Sequence, residues 1–142
     1  MTKNTDARLL DLLRANARES VSELARQLGV SRSTVQSRIE RLERQGVISG
    51  YSIRLSEAFA QTLVRAHVLV TALPKLSQQV VQGLEKIGEV RTLHSVSGQF
   101  DLIAVVEARS IQDLDAVLDR IGALDGVERT MSSIILSTRI DR

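Results

Sequence analysis

The sequence contains no cysteine, no tryptophan and one proline, and only three of its 142 residues are aromatic. Without cysteine the chain can form no disulfide, no thiolate metal site and no cysteine nucleophile. Three aromatic residues are too few for a stacking surface that binds single-stranded nucleic acid. No apolar run approaches about 18 residues, so no membrane-spanning helix is predicted. The N-terminal segment MTKNTDAR lacks the apolar core of a secretory signal, and we expect a cytoplasmic protein.

Combinations of residues that support catalysis or metal binding are also missing. The scattered serines have no matching histidine and acid, and no glycine-rich phosphate loop is present. His67 and His94 each fall in a predicted strand, without a second histidine or a carboxylate at ligand spacing. Histidines that simply pack on a sheet are therefore favoured over metal ligands. We predict no catalytic residue, no metal site and no cofactor.

Positive charge is concentrated in the first third of the chain. Residues 1–50 contain nine basic and six acidic side chains and so carry a net charge of +3. The whole chain carries +2, which leaves −1 for the remainder. A basic segment beside a neutral one is the pattern expected of a polyanion-binding module joined to a second domain, although a net charge of this size is weak support by itself.

Two short helices around a tight turn are predicted within Ser20–Ile48. A first helix, capped by Thr5, precedes them. Ser20 and Glu23 have the spacing of a capping box, in which each side chain satisfies a free amide at the start of a helix. Gly29 ends that helix, because the residue after a helix often needs a positive φ.

A third helix is predicted over about Arg32–Gln45, with Ser31 as its N-cap. Its apolar residues recur at helical spacing on one side. They are Val35, Ile39 and Leu42. Gly46 stops the helix, and Val47–Leu55 is predicted as an extended strand. These elements predict a three-helix helix-turn-helix domain.

The rest of the chain alternates strand and helix signals in the order β-α-β-β-α-β, which is the ferredoxin-like arrangement. The predicted strands are Arg65–Leu73, Glu89–Ser97, Asp101–Ala108 and Val127–Thr138. The predicted helices are Leu76–Ile87 and one that begins at Ser110. Their inward residues are Val80, Val81, Leu84 and Ile87 in the first, and Ile111, Leu114, Val117, Leu118 and Ile121 in the second. Gly98-Gln99 is predicted to form a hairpin turn.

The predicted fold class is therefore α+β, with an N-terminal, winged helix-turn-helix domain followed by a ferredoxin-like domain. The predicted boundaries are 1–50 for the helix-turn-helix, 51–63 for a strand and linker, and 64–142 for the second domain. Both faces of the predicted sheet are apolar: Val68 and Val70 alternate with Leu69. Two helices can cover only one face, so we expect the same sheet of a second copy to cover the other and form a homodimer.

The third helix carries the candidate DNA contacts. The second helix of a helix-turn-helix lies in the major groove, and its N-terminal residues reach base edges. Four side chains are predicted near bases: Arg32, Ser33, Gln36 and Ser37. Thr34, Arg38 and Arg41 are assigned to phosphates, and the helix end capped by Ser31 can also face a phosphate. The alternative is a solvated helix held by a Glu40–Arg44 pair, with no DNA contact.

The sequence resembles the Lrp/AsnC family, the leucine-responsive and asparagine-responsive or feast/famine regulators, over nearly its whole length. The resemblance in the first half is carried by Leu9-Leu10, Leu13, Asn16-Ala17-Arg18, Leu24-Ala25, Leu28-Gly29-Val30-Ser31, Val35, Arg38-Ile39, Arg41-Leu42 and Gly46-Val47-Ile48. In the second half it is carried by Gly98, Phe100-Asp101 and Asp125-Gly126-Val127. It implies a prokaryotic, nucleoid-associated transcriptional regulator that responds to an amino acid or related metabolite. Dimers of such proteins commonly assemble further, often as four dimers.

The resemblance also implies an effector site around the turn between the second and third strands of the second domain. The residues carried over are Ser97, Gly98, Gln99, Phe100 and Asp101. Gly98 would let backbone amides approach a carboxylate, and Asp101 could accept an ammonium group. Phe100 could line an apolar wall, and the last strand offers the hydroxyls of Thr130, Ser132 and Ser133. The alternative is that Gly98 only closes a hairpin and Asp101 only caps it.

Two other functions are compatible with these features. A ligand-independent, architectural DNA-binding protein would share the helix-turn-helix and the oligomer. An enzyme is a third possibility because ferredoxin-like dimers also host catalysis. The second half, however, assembles no nucleophile, base and oxyanion donor.

Overall fold

The structure is a computed structural model that describes residues 2–141. It divides into two compact units, Met1–Arg54 and Leu55–Arg142. Each unit has an apolar core of its own. No helix among the described residues is long and apolar enough to cross a membrane.

The first unit consists of three helices: α1 (Thr2–Ala15), α2 (Val21–Leu28) and α3 (Arg32–Arg44). Each helix turns one apolar stripe inward. The buried residues of this core are Leu9, Leu13, Leu24, Ala25, Leu28, Val35 and Leu42. Ile39, predicted to point inward, is only half-buried but packs against the same core.

The helix ends follow the predicted caps with two differences. Ser20 Oγ accepts a hydrogen bond from the amide of Glu23 at 3.1 Å, and Gly29 ends α2 with a φ of 67°. The reciprocal half of the capping box is absent, because the Glu23 carboxylate accepts from Arg26 and Gln27 instead. The hydrogen bond from Arg26 contributes most to lowering the pKa of Glu23 to about 2. The first helix begins at Thr2, so Thr5 lies inside it.

The strand predicted over Val47–Leu55 is not found in the structure. The first unit contains no described strand with which an extended segment could form a ladder, and the predicted wing is therefore also missing from its described residues. Tyr51 instead ties the segment to α3, because its hydroxyl donates to Glu43 at 2.7 Å. That hydrogen bond to a carboxylate raises the pKa of Tyr51. Ile53 remains 81% exposed.

The second unit opens with a short helix, α4 (Glu57–Ala60), in the stretch predicted to be a linker. It continues with the predicted β-α-β-β-α-β order. The elements are β1 (Val64–Ala72), a 3₁₀ turn (Pro74–Leu76), α5 (Ser77–Glu85), β2 (Val90–Ser95), β3 (Leu102–Ala108), α6 (Ile111–Gly122) and β4 (Val127–Ile134). The strands form one antiparallel sheet in the order β2-β3-β1-β4. The predicted α+β class and the ferredoxin-like order are confirmed.

The two faces of this sheet differ in burial. One face of β1 and β3 lies in the core with the buried residues of α5 and α6. Its buried strand residues are Ala66, Val68, Val70, Ala72, Leu102, Ala104, Val106 and Ala108. On the opposite face Leu69, Ile103 and Val105 are half-buried, and Met131 is 53% exposed. We call this opposite surface the outer face of the sheet.

The helices cover the inner face nearly as predicted. Val80, Leu84, Leu114, Val117 and Ile121 are buried. Ile111, which helical spacing places on the same side, is 56% exposed at the first position of α6. The spacing of apolar residues identifies the side of a helix that faces the core, but it does not show where the core ends.

We expect Gly126→Ala to destabilise the second unit far more than Gly98→Ala. Both glycines have a positive φ, 95° and 112° respectively, so each alanine would incur a backbone penalty of about 1–3 kcal/mol. Only at Gly126 would the added Cβ collide, at 2.6 Å from Cβ of Leu76 and 3.0 Å from Cγ2 of Val80. Overpacking adds about 1–3 kcal/mol.

Urea unfolding monitored by circular dichroism would measure both losses. Gly98 is the matched control, because a Cβ added there would have no neighbour within 4 Å. Equal losses for the two variants would contradict the packing assigned to Gly126.

Candidate DNA-binding and effector-binding sites

The N-terminal end of α3 presents a cluster of hydroxyl groups. Ser31 Oγ accepts from the amide of Thr34 at 3.2 Å, which confirms its role as N-cap. The same oxygen lies 2.8 Å from Thr34 Oγ1 and 3.1 Å from Ser33 Oγ. Free amides and hydroxyls at the positive end of a helix dipole are suitable partners for a phosphate.

The side chains assigned to base contacts lie on the exposed side of α3. Arg32, Ser33, Gln36 and Ser37 are all exposed, whereas Val35 is fully buried beneath them. Within the described chain the Arg32 guanidinium forms no ion pair. Gln36 Nε2 donates to Glu40 Oε1 at 3.2 Å, a contact at the long end of the hydrogen-bond range. The Glu40–Arg44 pair of the alternative hypothesis does not form among the described residues.

The two arginines assigned to phosphates are less free. Arg41 Nη2 lies 2.6 Å from Asp6 Oδ2 on α1, in a partly buried ion pair. Arg38 is half-buried, and its Nη1 is buried without a hydrogen-bond partner in the described chain. Asp6 was not identified from the sequence as part of this surface, because nothing in the spacing of α1 shows which residue of α3 it will meet.

The predicted effector turn lies between β2 and β3. Gly98 has a φ of 112° there. The amide of Val96 donates to the carbonyl of Asp101 at 3.0 Å and closes the turn. The amide of Asp101 donates in turn to the carbonyl of Val70 at 3.0 Å, which anchors the turn to β1.

Asp101 caps the end of β1 with its side chain. Its Oδ2 accepts from the amide of Ala72 at 2.9 Å. No described residue donates to Oδ1, and the residue as a whole is exposed. The carboxylate therefore has the structural role of the alternative hypothesis and also keeps one oxygen available to a ligand.

A broad, open depression of about 550 Å³ lies beside this turn. Leu69 and Ile103 of the outer face are among the residues that line it. The other lining residues are Ser95, Val96, Ser97, Gln99 and Phe100. Of the predicted effector residues, Ser97, Gln99 and Phe100 thus line one cavity, and Gly98 and Asp101 shape the turn that borders it.

Arg129 on β4 is a further polar group at this site that was not identified from the sequence. Its guanidinium carbon lies 5.5 Å from the centre of the Phe100 ring, within the range of a cation–π contact. Arg129 forms no ion pair with any described carboxylate. Alternation along β4 places Arg129 on the same face as Met131, but only the folded structure shows that Arg129 meets Phe100.

The hydroxyls of the last strand lie on the other side of the sheet. Thr130 pairs with Val70, and Ser132 pairs with Val68. Directly opposed residues of an antiparallel pair share a face, and both valines lie in the buried core of the inner face. Thr130 and Ser132 are therefore not brought to the depression, although both are exposed on β4, which is an edge strand. Ser133 pairs with His67 and lies on the outer face.

Both histidines point to the outer face. His67 pairs with Val105 and His94 pairs with Ile103. Both are exposed. The described residues contain no group of three or more histidines and carboxylates that could hold a metal ion.

Comparison with protein families covers most of the chain. Residues 4–43 match the AsnC-type helix-turn-helix domain. Residues 65–142 match the Lrp/AsnC ligand binding domain. The two matches correspond to the three-helix unit and to the sheet with its covering helices.

Individual relatives agree with this match. The transcriptional regulator LrpA of Mycobacterium tuberculosis is 40% identical over 134 residues, which span 94% of this chain and 89% of that protein. The structure of E. coli AsnC superposes with a TM-score of 0.85 at 30% identity and covers 98% of this chain and 95% of that chain. A feast or famine regulatory protein from M. tuberculosis, in complex with L-methionine, superposes with a TM-score of 0.88 at 37% identity, covering 99% and 96%. The chain belongs to the Lrp/AsnC family of DNA-binding transcriptional regulators, and the resemblance first seen in its motifs is confirmed.

Proposed function

We propose that this regulator reads double-stranded DNA with α3 and that an amino acid bound beside the turn of residues 97–101 controls its assembly and its DNA binding. The observation that supports this function most directly is the depression beside that turn, which is lined by apolar and polar residues together. A pocket of this volume suits a small ligand, because such sites span about 300–1,000 Å³.

For DNA, the exposed side chains at the start of α3 are of the types that read base edges. Arginine makes bidentate contacts with guanine, and glutamine does so with adenine. Arg32 and Gln36 are exposed one turn apart on the same side of α3. In our proposal they select the sequence, and the hydroxyl-rich end at Ser31 and Thr34 binds a phosphate.

For the effector, a free amino acid offers a carboxylate, an ammonium group and a side chain. Asp101 Oδ1 is available to accept the ammonium group, and the Arg129 guanidinium is available for the carboxylate. Leu69, Ile103 and Phe100 would contact an apolar side chain. The M. tuberculosis relative in complex with L-methionine makes an apolar amino acid the first compound to test.

The depression is wide and open, so one chain would leave much of a bound amino acid in water. Most small-molecule sites bury more than about 70% of their ligand. We infer that another copy of the chain closes the site, and that a bound ligand thereby favours one assembly over another. A ligand shifts such an equilibrium only by the difference in its affinity for the two states.

The outer face of the sheet is the proposed dimer interface. Leu69, Ile103, Val105 and Met131 present an apolar surface that α5 and α6 leave uncovered. Burying apolar area stabilises an association by about 25 cal/mol per Å² before the entropy of association is subtracted. A two-fold dimer would cover two such faces at once, and four dimers could assemble further. In this proposal the protein acts in the cytoplasm, on nucleoid DNA.

The second candidate is an architectural DNA-binding protein that responds to no ligand. The hydrogen bond from the Ala72 amide to Asp101 favours it, because that bond gives Asp101 a structural role that requires no ligand. Calorimetry with a panel of free amino acids that includes L-methionine separates the two functions. Heat of binding together with a change in DNA affinity supports effector control, and no effect from any amino acid supports the architectural role.

We expect Gln36→Ala and Arg32→Ala to reduce the sequence preference of DNA binding. Each bidentate base contact contributes about 1–3 kcal/mol of discrimination, which is roughly 5- to 150-fold. Duplexes selected from a random library by the unaltered protein, together with single-base variants of them, provide the binding targets. Lys86→Ala removes one exposed positive charge in the other unit and serves as the control. Unchanged discrimination in both α3 variants would contradict the docking of α3.

We expect Asp101→Asn to weaken amino-acid binding by about 10-fold or more, because a hydrogen bond to a charged group contributes about 1.5–3 kcal/mol. Asparagine keeps an oxygen that can accept from the Ala72 amide, so the fold should be retained. Titration calorimetry with L-methionine, or with the amino acid that binds best, measures the loss. Asp125→Asn, in another exposed turn, is the matched control. If both variants bound equally, Asp101 would not contact the ammonium group.

We expect Met131→Asp to weaken the dimer by roughly 100-fold or more, because an unpaired charge would be buried between the two sheets. Met131 is 53% exposed in the single chain, so the substitution should hardly alter the protomer itself. Analytical ultracentrifugation over a range of concentrations measures the dissociation. Thr130→Asp, at the preceding residue and on the opposite face of the sheet, is the control. If the dimers of both variants dissociated at the same concentration, the outer face would be excluded as the interface.

A further inference from the structure

One ion pair joins α1 to α3. Arg41 Nη2 lies 2.6 Å from Asp6 Oδ2, and the two residues are 35 positions apart in the sequence. The Arg41 side chain is 37% exposed and the Asp6 side chain 22%. Within the first unit it is the one ion pair between helices that the described residues form. A partly buried ion pair with so short a distance between its charged atoms fixes the two helices relative to each other more firmly than an exposed pair would.

Two further polar atoms of α1 and α3 lack partners. Asp6 Oδ1 and Arg38 Nη1 are each buried without a hydrogen bond in the described part of the chain. Arg38 precedes Arg41 by three residues and therefore lies on the same side of α3. That side of α3 therefore carries two guanidinium groups, and among the described residues only that of Arg41 is paired with a carboxylate. Removing that carboxylate would leave the Arg41 guanidinium without its acidic partner at a partly buried site, where the desolvation of a charge is costly.

We propose that Asp6 is a positioning residue for DNA binding, which holds Arg41 as a brace between α1 and α3 and so fixes the orientation of the DNA-reading helix. Arg41 is then not a phosphate contact, in contrast to the role predicted from its place in the sequence. Arg38, which has no acidic partner, keeps the phosphate role. This inference depends on the proposed use of α3 as the DNA-reading helix.

The two roles differ in their effect on the salt dependence of DNA binding. An arginine that neutralises a phosphate releases counterions, and each such contact adds about 0.9 to the slope of log affinity against log salt concentration. An arginine already paired with Asp6 releases few counterions. A brace therefore changes the affinity but not the slope, whereas a phosphate contact changes both.

The first test compares Arg41→Gln with Arg38→Gln. Fluorescence anisotropy with a labelled duplex of random sequence, at several salt concentrations, gives the affinity and the slope. Arg41→Gln should lower the affinity and the melting temperature and leave the slope unchanged. Arg38→Gln should reduce the slope by about 0.9 for each α3 that contacts DNA. An equal loss of slope in both variants would overturn the brace.

The second test reverses the pair. Asp6→Arg alone and Arg41→Asp alone place like charges together, so each should lower both the melting temperature and the DNA affinity. The double variant restores an ion pair with its charges exchanged. It should regain the melting temperature, and its DNA affinity should return to within about threefold of the unaltered protein. If the melting temperature recovered while DNA binding stayed weak, Arg41 would be a phosphate contact and the inference would be wrong. Recovery of neither quantity would also overturn it.

Failure of the proposed function gives a different result. If α3 did not read DNA, Arg38→Gln and Arg32→Ala would leave the affinity and the slope unchanged. If only the role of Asp6 were wrong, those two variants would keep their expected effects and only the variants at Asp6 and Arg41 would depart from expectation.

Discussion

An antiparallel sheet has two faces, and the helices of the second unit cover only one of them. The buried strand residues and the buried residues of α5 and α6 form a complete core on that side. The outer face keeps Leu69, Ile103 and Met131 at the surface. Because apolar surface of this kind is costly in water, it supports the proposed association through that face. The depression beside the turn of residues 97–101 shares Leu69 and Ile103 with it, so the proposed assembly and the proposed ligand site are physically adjacent.

The three-helix unit depends on a different requirement, because the free backbone amides at the start of each helix need hydrogen-bond partners. Ser20 and Ser31 cap α2 and α3 with their hydroxyls, and Gly29 adopts the positive φ between them. These short-range contacts fix the turn without using the outward side chains of α3. Arg32 and Gln36 are therefore left at the surface by the same geometry that makes the turn. This separation of structural and exposed positions suits a helix that binds DNA.

Much of the fold was predictable because it depends on periodicity and local caps. Alternating residues identified β1 and β3, helical spacing identified the buried sides of α5 and α6, and Ser31 marked the start of α3. Strand-like alternation in Val47–Leu55 was misleading, since a strand also needs a neighbouring strand, and the first unit has none among its described residues. Ile111 shows a similar limit, because a periodic pattern does not mark the edge of the core.

The candidate sites were less predictable, because they depend on which side chains meet across the fold. The Glu23 carboxylate binds Arg26 and Gln27 rather than its own helix end. Arg129 of β4 lies beside Phe100, and the register of β4 places Thr130 and Ser132 on the opposite face. A sequence lists possible partners for a polar group but does not rank them. Differences of about 1 kcal/mol between competing hydrogen bonds decide the outcome.

The charge that α3 offers to DNA was also not predictable by counting basic residues. In such a count each of its four arginines is a full positive charge available to DNA: Arg32, Arg38, Arg41 and Arg44. The ion pair with Asp6 neutralises one of them within the protein. The electrostatic part of DNA affinity depends on the cations that reach phosphates and displace counterions, not on the number of basic residues. In this proposal, an acidic residue that pairs with an arginine of α3 from within the fold removes that arginine from the cations that determine the salt dependence. That balance is visible only once α1 and α3 are packed together.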